Sequence, residues 1–307
     1  PSYWDIITRF DYMVNKQHSM FLTYFGVKDD ISLLGKGFRT EGSSEISDPN
    51  SLQNSEMYHC GIYGLNSTFN EKLDNNFRFG FLYGKADGRI FGSFKYKVKQ
   101  YVVYLRNLLT LTPNSYFIIN SGIDVKLDST YRNLQIMSRD EGIVSNNDYK
   151  LFTDMGLHAN IEFSPIKNLV FIPGIRLEYY KELNEGTIDY RFNIRYKINS
   201  KHTIKAASGS YSQSPKPKYQ VTDSIWGNPD LPPTLAYHYV GGYEWQITDL
   251  IFLDVQGYFN KQNQIPRYSS ERDKITGKPI NFAADMQGRM YGLELILRHD
   301  QGKRMLY

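Results

Sequence analysis

The chain has 307 residues, of which 41% are hydrophobic and 15% aromatic, including 25 tyrosines and 18 phenylalanines. Its formal net charge is +4 and the cations are spread along the sequence, so neither charge nor its distribution indicates a nucleic-acid partner. The single cysteine, Cys60, excludes an intramolecular disulfide and any multi-cysteine metal site.

The mean hydropathy is −0.49 and no apolar run reaches about 18 residues, so the sequence predicts no membrane-spanning helix. A membrane protein built of strands is compatible with this value, because polar and apolar residues average out along each strand. The abundant tyrosines suit a membrane–water interface, because the apolar ring can contact lipid while the hydroxyl group contacts water. A tyrosine-rich soluble β-sandwich is the alternative that composition leaves open.

Thirteen alternating or apolar segments follow one another, and no helix is predicted. The clearest is Ile188–Asn199, where every even position is apolar or aromatic and every odd position is polar or charged. A β-strand separates two such sets onto opposite faces. In chain order the predicted strands are Tyr3–Val14, His18–Val27, Tyr58–Phe69, Asn76–Gly84, Phe94–Leu111, Ser115–Asp128, Asp148–Ser164, Leu169–Glu182, Ile188–Ile198, Thr203–Tyr211, Tyr237–Ile247, Leu250–Gln262 and Ala284–Arg298.

The connections between these strands alternate between short turns and long loops. The short ones are rich in Pro, Asn, Asp and Gly, which form turns. The predicted long connections are Lys28–Met57, Lys85–Ser93, Ser129–Asn147, Leu183–Thr187, Ser212–Ala236 and Asn263–Ala283, of which only Leu183–Thr187 is about as short as a turn. Turns on one rim and loops on the other predict an all-β fold, an antiparallel up-and-down transmembrane β-barrel.

No catalytic constellation stands out in the sequence. The six histidines are scattered without the spacing of metal ligands. The serines around Gly209 lack the G-x-S-x-G pattern of a nucleophile elbow. We therefore expect no enzymatic activity, no bound cofactor and no metal site.

Five short motifs, in order over residues 165–298, resemble those of the TonB-dependent outer-membrane transporters. One resembles the family's N-P-x-L-x-P-E signature, although its last residue is a threonine where the family usually has glutamate. Residues 1–164 are similar to the family only in general style. The five motifs are Gly174–Tyr179, Ala207–Pro215, Gly227–Thr234, Val255–Asn260 and Tyr291–Leu295.

The resemblance implies a barrel of about 22 strands, preceded by a plug domain. We therefore expect residues 1–307 to be one partial barrel domain, truncated at both ends and lacking its plug. The resemblance further implies a location in the outer membrane of a diderm bacterium, in contact with its lipid. The function implied is uptake of a scarce small-molecule ligand into the periplasm, driven by the proton-motive force through the TonB complex, which acts on the plug. The ligand's identity and the oligomeric state stay open.

Candidate site residues follow from the alternation and from the long loops. Polar residues of two predicted strands are expected to face the lumen, where they either contact the plug or an anionic ligand, or are simply solvated. Two aromatic residues of the loop Ser212–Ala236 are candidates for packing on a ligand, although Trp226 equally suits the membrane rim. The lumen candidates are Arg176, Glu178, Arg191, Arg195 and Lys197, and the ligand candidates are Tyr219 and Trp226.

Three other functions share part of this pattern. A plugless, passive porin-like channel has the same alternation, turns and aromatic content. An outer-membrane adhesin or assembly barrel would use its loops to bind a protein partner. A soluble all-β binding module would lack contact with lipid altogether.

Overall fold

The computed structural model describes residues 2–33, 52–90, 94–138, 142–215, 227–272, 277 and 280–299. In this part of the chain no helix is long and apolar enough to cross a membrane. The strands are β1 (Ser2–Met13), β2 (His18–Leu33), β3 (Leu52–Asn70), β4 (Leu73–Ile90), β5 (Phe94–Asn114), β6 (Phe117–Ser138), β7 (Gly142–Ile166), β8 (Leu169–Tyr180), β9 (Glu185–Lys197), β10 (His202–Gln213), β11 (Thr234–Gln246), β12 (Ile251–Tyr268) and β13 (Phe282–His299).

These strands form one sheet in which each is hydrogen-bonded to the strands before and after it in sequence, from β1 to β13. Neighbours run antiparallel, as β1 does with β2 and β12 with β13. The prediction of about thirteen antiparallel, up-and-down strands is confirmed.

Several strands extend further than predicted. β2 and β3 stay paired as far as Leu33 and Leu52, inside the predicted loop Lys28–Met57. Likewise, β4 and β6 run far into the predicted loops Lys85–Ser93 and Ser129–Asn147. These loop predictions are wrong because both faces of a strand become polar beyond the apolar zone. The hydrophobic alternation then disappears although the backbone pairing continues.

Two of the short turns share one hydrogen-bonding pattern. Asn15 Oδ1 accepts hydrogen bonds from the backbone N–H groups of Gln17 and His18, at 2.8 and 2.9 Å. Asn199 does the same for Lys201 and His202, at 2.9 and 3.0 Å. An asparagine that caps its own turn fixes where each hairpin reverses.

The two faces of the sheet differ in chemistry, as β8 and β9 show. Their register places Arg176 opposite Asp189 and, one step along, Ile175 opposite Tyr190. Successive side chains point to opposite faces of a sheet. We call the face of Arg176 and Asp189 the polar face, and the face of Ile175 and Tyr190 the apolar face.

Burial is the reverse of that in a water-soluble protein. Ile188 and Leu293 are each 73% exposed and Leu295 is 63% exposed, all on the apolar face. In the described part of the chain, the buried large hydrophobic residues are Phe152, Tyr180 and Leu231. The buried polar and charged residues there are more numerous: Ser67, Asp124, Asp128, Thr130, Arg132, Thr153, Asp189, Thr203, Ser210, Ser214, Thr234 and Ser269. An extended, exposed apolar surface of this kind suits contact with lipid.

The chain divides into two compact units. Unit 1 comprises the described parts of Pro1–Phe69, Asn75–Asn107 and Asp124–Asp154. Unit 2 comprises Asn70–Asp74, Leu108–Ile123 and the described parts of Met155–Tyr307.

In unit 1 an aromatic belt crosses β1 to β5, formed by Trp4, Tyr24, His59, Tyr83 and Tyr101. It lies on the face that carries the exposed Phe79 and Phe81 of β4, in phase with Tyr83, and we call this face the apolar face of unit 1. Tyr24 Oη and His59 Nδ1 share a hydrogen bond of 2.6 Å. The ring centroid of His59 lies 6.0 Å from that of Trp4 and 6.3 Å from that of Tyr83, which lies 5.1 Å from that of Tyr101. Aromatic girdles of this kind mark the membrane–water interface of outer-membrane barrels.

Candidate functional site

A charged network lies on the polar face of unit 2 near the short turns, and we call it the turn-side network. Arg195 on β9 forms a two-pronged ion pair with Glu244 on β11, with 2.8 Å between Nη1 and Oε1. Lys205 on β10 lies between them, with Nζ 3.2 Å from Glu244 Oε1 and 2.8 Å from Asp254 Oδ2. Gln256 donates to the same Asp254 oxygen, at 2.9 Å. The network ties β9, β10, β11 and β12 together through side chains.

The carboxylates of this network are well buried and its arginine is not. Glu244 and Asp254 side chains are each 12% exposed, whereas that of Arg195 is 55% exposed. Asp254 Oδ1 is buried without a hydrogen-bond partner among the described residues. A half-exposed guanidinium beside buried carboxylates leaves donors free for a further acceptor.

A hollow of about 320 Å³ adjoins the turn-side network. Val170, Ile172 and Val240 contribute apolar side chains to it, and Arg195 and Lys205 contribute cationic ones. This combination suits an apolar group that carries an acidic neighbour.

A second network, the loop-side network, lies further along β8. Arg176 Nε donates to Glu178 Oε1, and Tyr180 Oη donates to the other oxygen of that carboxylate. Arg176 Nη1 lies 3.4 Å from His158 Nδ1. The guanidinium fits because Gly156 on β7 has no side chain: a Cβ there would come 2.5 Å from Arg176 Nη2.

Asp189 at the start of β9 is only 3% exposed. Its Oδ2 accepts hydrogen bonds from the backbone N–H and the hydroxyl of Ser212, at 3.0 and 2.7 Å. Ser212 is the second-to-last residue of β10, where the predicted loop Ser212–Ala236 begins. Asp189 therefore anchors the point where that loop leaves the sheet.

Arg191 and Lys197 differ from the other candidates. Neither has a carboxylate partner in the part of the chain that the structure describes. The Arg191 guanidinium lies over the ring of Tyr211, 5.1 Å from its centroid, and that ring lies 4.8 Å from the ring of His238. The charges of these two cations are therefore not neutralised by a described carboxylate and are available to another molecule.

All five predicted lumen residues lie on the polar face, but they do not form one cluster. Arg195 belongs to the turn-side network, Arg176 and Glu178 belong to the loop-side network, and Arg191 and Lys197 belong to neither. The predicted ligand contacts, Tyr219 and Trp226, lie outside the described residues.

Sequence reasoning missed a charged cluster in unit 1. Arg106 and Tyr104 on β5 both donate to Asp124 on β6, at 2.6 and 2.8 Å, and Arg132 Nη2 lies 3.1 Å from Asp148 Oδ2. The signal was present, since Asp124 is one of the charged residues that alternate along β6. Their partners on β5 cannot be read from a single strand. Within the described ranges no group of His, Cys, Asp and Glu side chains is suited to hold a metal ion.

The family model described as "TonB dependent receptor-like, beta-barrel" matches residues 4–303. The chain belongs to the TonB-dependent receptor β-barrel family. This confirms the resemblance drawn from the five motifs and extends it over residues 4–164, where no specific motif had been found. No curated protein matches the sequence.

Solved structures similar to this chain are receptors and transporters. The siderophore receptor PirA from Pseudomonas aeruginosa matches with a TM-score of 0.69 and 12% identity, over 96% of this chain and 53% of that one. The copper transporter OprC matches with a TM-score of 0.72 and 10% identity, over 98% and 51%. The RagAB peptide importer matches with a TM-score of 0.67 and 10% identity, over 97% and 45%. The chain thus spans about half the length of these solved structures.

Proposed function

We propose that this chain is the larger part of the barrel of an outer-membrane receptor that takes up a scarce small-molecule ligand, such as a siderophore or another metal chelate, into the periplasm. The rest of the barrel and a plug domain would belong to the same parent chain. The plug closes the lumen, and the TonB complex moves it at the expense of the proton-motive force.

The observation that carries this proposal is the inverted burial of the sheet. One face exposes isoleucines and leucines such as Ile188 and Leu293, and the other holds partly buried ion pairs such as Arg195–Glu244. Contact with lipid accounts for the exposed apolar side chains of the first face, and contact with water or a polar plug accounts for the charged side chains of the second. Membership of the TonB-dependent receptor β-barrel family supports a plugged receptor over a passive channel or an adhesin.

In this proposal Arg191 and Lys197 contact the plug. They are the cations of β9 that have no carboxylate partner among the described residues. The hollow of about 320 Å³ on the same stretch of wall has an apolar floor and is bordered by Arg195 and Lys205, which suits a plug segment with an apolar and an acidic residue. Arg176, Glu178 and Arg195 hold the wall in shape, because their own strands and neighbours already supply partners, and Arg195 also borders the hollow.

The ligand is bound at the loop rim, where Ser212–Ala236 leaves the sheet at the anchored residue Ser212. Tyr219 and Trp226 supply aromatic surface for an organic ligand in this proposal. The three similar proteins named above are a siderophore receptor, a copper transporter and a peptide importer, so the fold by itself does not select among these cargoes.

Uptake by cells tests the proposal. The full-length parent protein is expressed in a strain without its own receptors, and uptake of labelled ferric siderophores, copper and short peptides is measured. We expect one class to enter, and we expect its entry to stop when a protonophore is added or TonB is deleted. Entry that survives both treatments would show a passive channel and overturn the proposal.

Plug contact is tested with Arg191→Gln combined with Lys197→Gln. A loosened plug should increase leakage of a large antibiotic such as vancomycin while the affinity for the ligand stays unchanged. The matched control is Lys167→Gln with Lys201→Gln, which removes two exposed cations at short turns. Equal leakage in both variants would refute the assignment of Arg191 and Lys197.

A further inference from the structure

The apolar face of unit 1 changes character beyond the aromatic belt. His59 is eleven residues from Asn70 and Tyr101 is thirteen from Asn114, the ends of β3 and β5 at the short turns. A strand of an outer-membrane barrel needs about 9–11 residues to cross the apolar layer. The belt therefore lies at the far boundary of the spanning zone, and the strands continue past it.

Cations follow the belt on the same face. In β5, Lys95, Lys97 and Lys99 alternate in phase with Tyr101, and in β4, Lys85 and Arg89 alternate in phase with Tyr83. The even-numbered residues of β5 point to the polar face instead. There Gln100 donates a hydrogen bond to Asp128, and Tyr104 donates one to Asp124.

Only part of this charge is neutralised within the chain. Lys28 and Lys85 pair with Asp30 and Asp87, at 2.7 and 2.5 Å. No ion-pair partner exists among the described residues for the remaining four cations. These four, which we call the free cations, are Arg89, Lys95, Lys97 and Lys99.

Three of the free cations border a polar cleft of about 460 Å³ on this face. Arg89, Lys95 and Lys97 line it, together with the polar side chains of Asn133 and Gln135 and with the carboxylates of Asp30 and Asp87, whose charges are paired with Lys28 and Lys85. A cleft with fixed polar groups and unpaired positive charge suits a multiply charged anion with several acceptor oxygens, such as a phosphate ester.

We propose that the cleft and the free cations bind the phosphate groups of a lipid in the outer leaflet. The patch lies on the side that contacts lipid and directly beyond the aromatic belt, which is the level of lipid headgroups. Its charge is complementary to phosphate. A soluble anion has no reason to prefer this face, whereas a lipid whose chains lie against the apolar face presents its headgroup here.

The proposal rests on the proposed outer-membrane location, and its test is read separately from uptake. The full-length protein is purified, stripped of lipid and titrated in detergent with lipid A, which carries two phosphates, with dephosphorylated lipid A, and with inorganic phosphate. A lysine close to an anionic lipid surface strengthens binding about fivefold. Replacing the free cations by glutamine should therefore weaken lipid A binding roughly tenfold or more.

The control removes four exposed cations at the short turns, by Lys16→Gln, Lys72→Gln, Lys167→Gln and Lys201→Gln. It should change the affinity less than about twofold, since these lysines lie at short turns and none of them lines the cleft. If the fourfold variant fails to fold, Lys95→Gln with Lys97→Gln tests the same point at two exposed positions.

Weak binding of dephosphorylated lipid A to the unaltered protein supports the proposal. Equal loss in the control, unchanged binding in the variant, or inorganic phosphate binding as tightly as lipid A would each overturn it. If the variant loses lipid A binding or keeps it while uptake continues, the proposed function is unaffected. If the parent protein fractionates away from the outer membrane, the proposed function itself is refuted, and the lipid proposal fails with it.

Discussion

Arg195 on β9 and Glu244 on β11 form an ion pair across the intervening strand β10, with 2.8 Å between Nη1 and Oε1. Lys205 on β10 lies between them and reaches the same carboxylate, at 3.2 Å. The pair therefore joins strands that share no backbone hydrogen bonds. It helps to fix the order of three strands independently of the backbone ladder.

Glu244→Gln should destabilise the protein more than Arg195→Gln does. The glutamine leaves two cations around a site that is 12% exposed, whereas the arginine is half in solvent. We expect a loss of about 1–3 kcal/mol for Glu244→Gln and of about 1 kcal/mol or less for Arg195→Gln. Urea unfolding of the full-length protein in lipid vesicles measures both. Equal losses of stability in the two variants would mean that Lys205 does not need Glu244 as an ion-pair partner.

Adjacent residues of β9 test which face meets lipid. Phe192 lies on the apolar face and Asn193 on the polar face, and both are exposed. Phe192→Arg should cost about 2–4 kcal/mol because it places a cation against hydrocarbon. Asn193→Arg adds the same side chain one residue along and should cost much less. The comparison uses the same unfolding measurement in vesicles, and similar costs for the two would argue against lipid at the apolar face.

Gly156→Ala tests the fit of the loop-side network. The new methyl group would lie 2.5 Å from Arg176 Nη2, so the guanidinium must shift and weaken its contacts with Glu178 and His158. We expect a loss of about 1–2 kcal/mol, since the end of an arginine is flexible. In the background of Arg176→Gln the same methyl group should cost little.

Gly241→Ala is the matched control for Gly156→Ala, because nothing lies within 4 Å of a Cβ at Gly241. It should change the free energy of unfolding by less than about 0.5 kcal/mol. If Gly156→Ala costs the same with and without the arginine, the close approach of Arg176 is not the reason for glycine at position 156.

How far the sequence predicts this structure depends on how far one face of a strand stays apolar. Ile188 to Lys197 are apolar on one face only, so their period of two identifies β9 and assigns Arg191 and Lys197 to the polar face. Beyond the apolar zone both faces of a strand are polar, so the alternation of apolar residues no longer marks the strand. The sequence therefore predicts that β2 ends at Val27, although the strand continues to Leu33.

Pairing across strands is the part that a single sequence does not contain. Alternation places Arg195 and Lys205 on one face but does not say that they share Glu244, because register depends on turn length and on bulges such as that after Gln262. The room for Arg176 likewise depends on Gly156 in a different strand. Charged groups could be assigned to a face from the sequence, whereas the networks they form could not.

The last prediction concerns Asp30, which lies beyond the spanning zone, thirteen residues into β2 counted from His18. Hydrogen bonds from Lys28 and Ser55, and a weaker contribution from Ser2, lower the pKa of Asp30 from 3.8 to about 2. A carboxylate whose pKa is lower in the folded state stabilises that state above its unfolded pKa. The stabilisation is lost as the pH falls from about 4 through about 2.

Asp30→Asn should therefore lower the melting temperature of the full-length protein at pH 5, and the difference from the unaltered protein should shrink steadily between pH 4 and pH 2. Asp29→Asn removes the same charge from the neighbouring position, where no hydrogen bond or ion pair forms among the described residues, and should show no such convergence. A difference that stays constant down to pH 2 would mean that the ionised form of Asp30 is not what Lys28 and Ser55 stabilise. Convergence in the Asp29 variant as well would assign the effect to overall charge rather than to these hydrogen bonds.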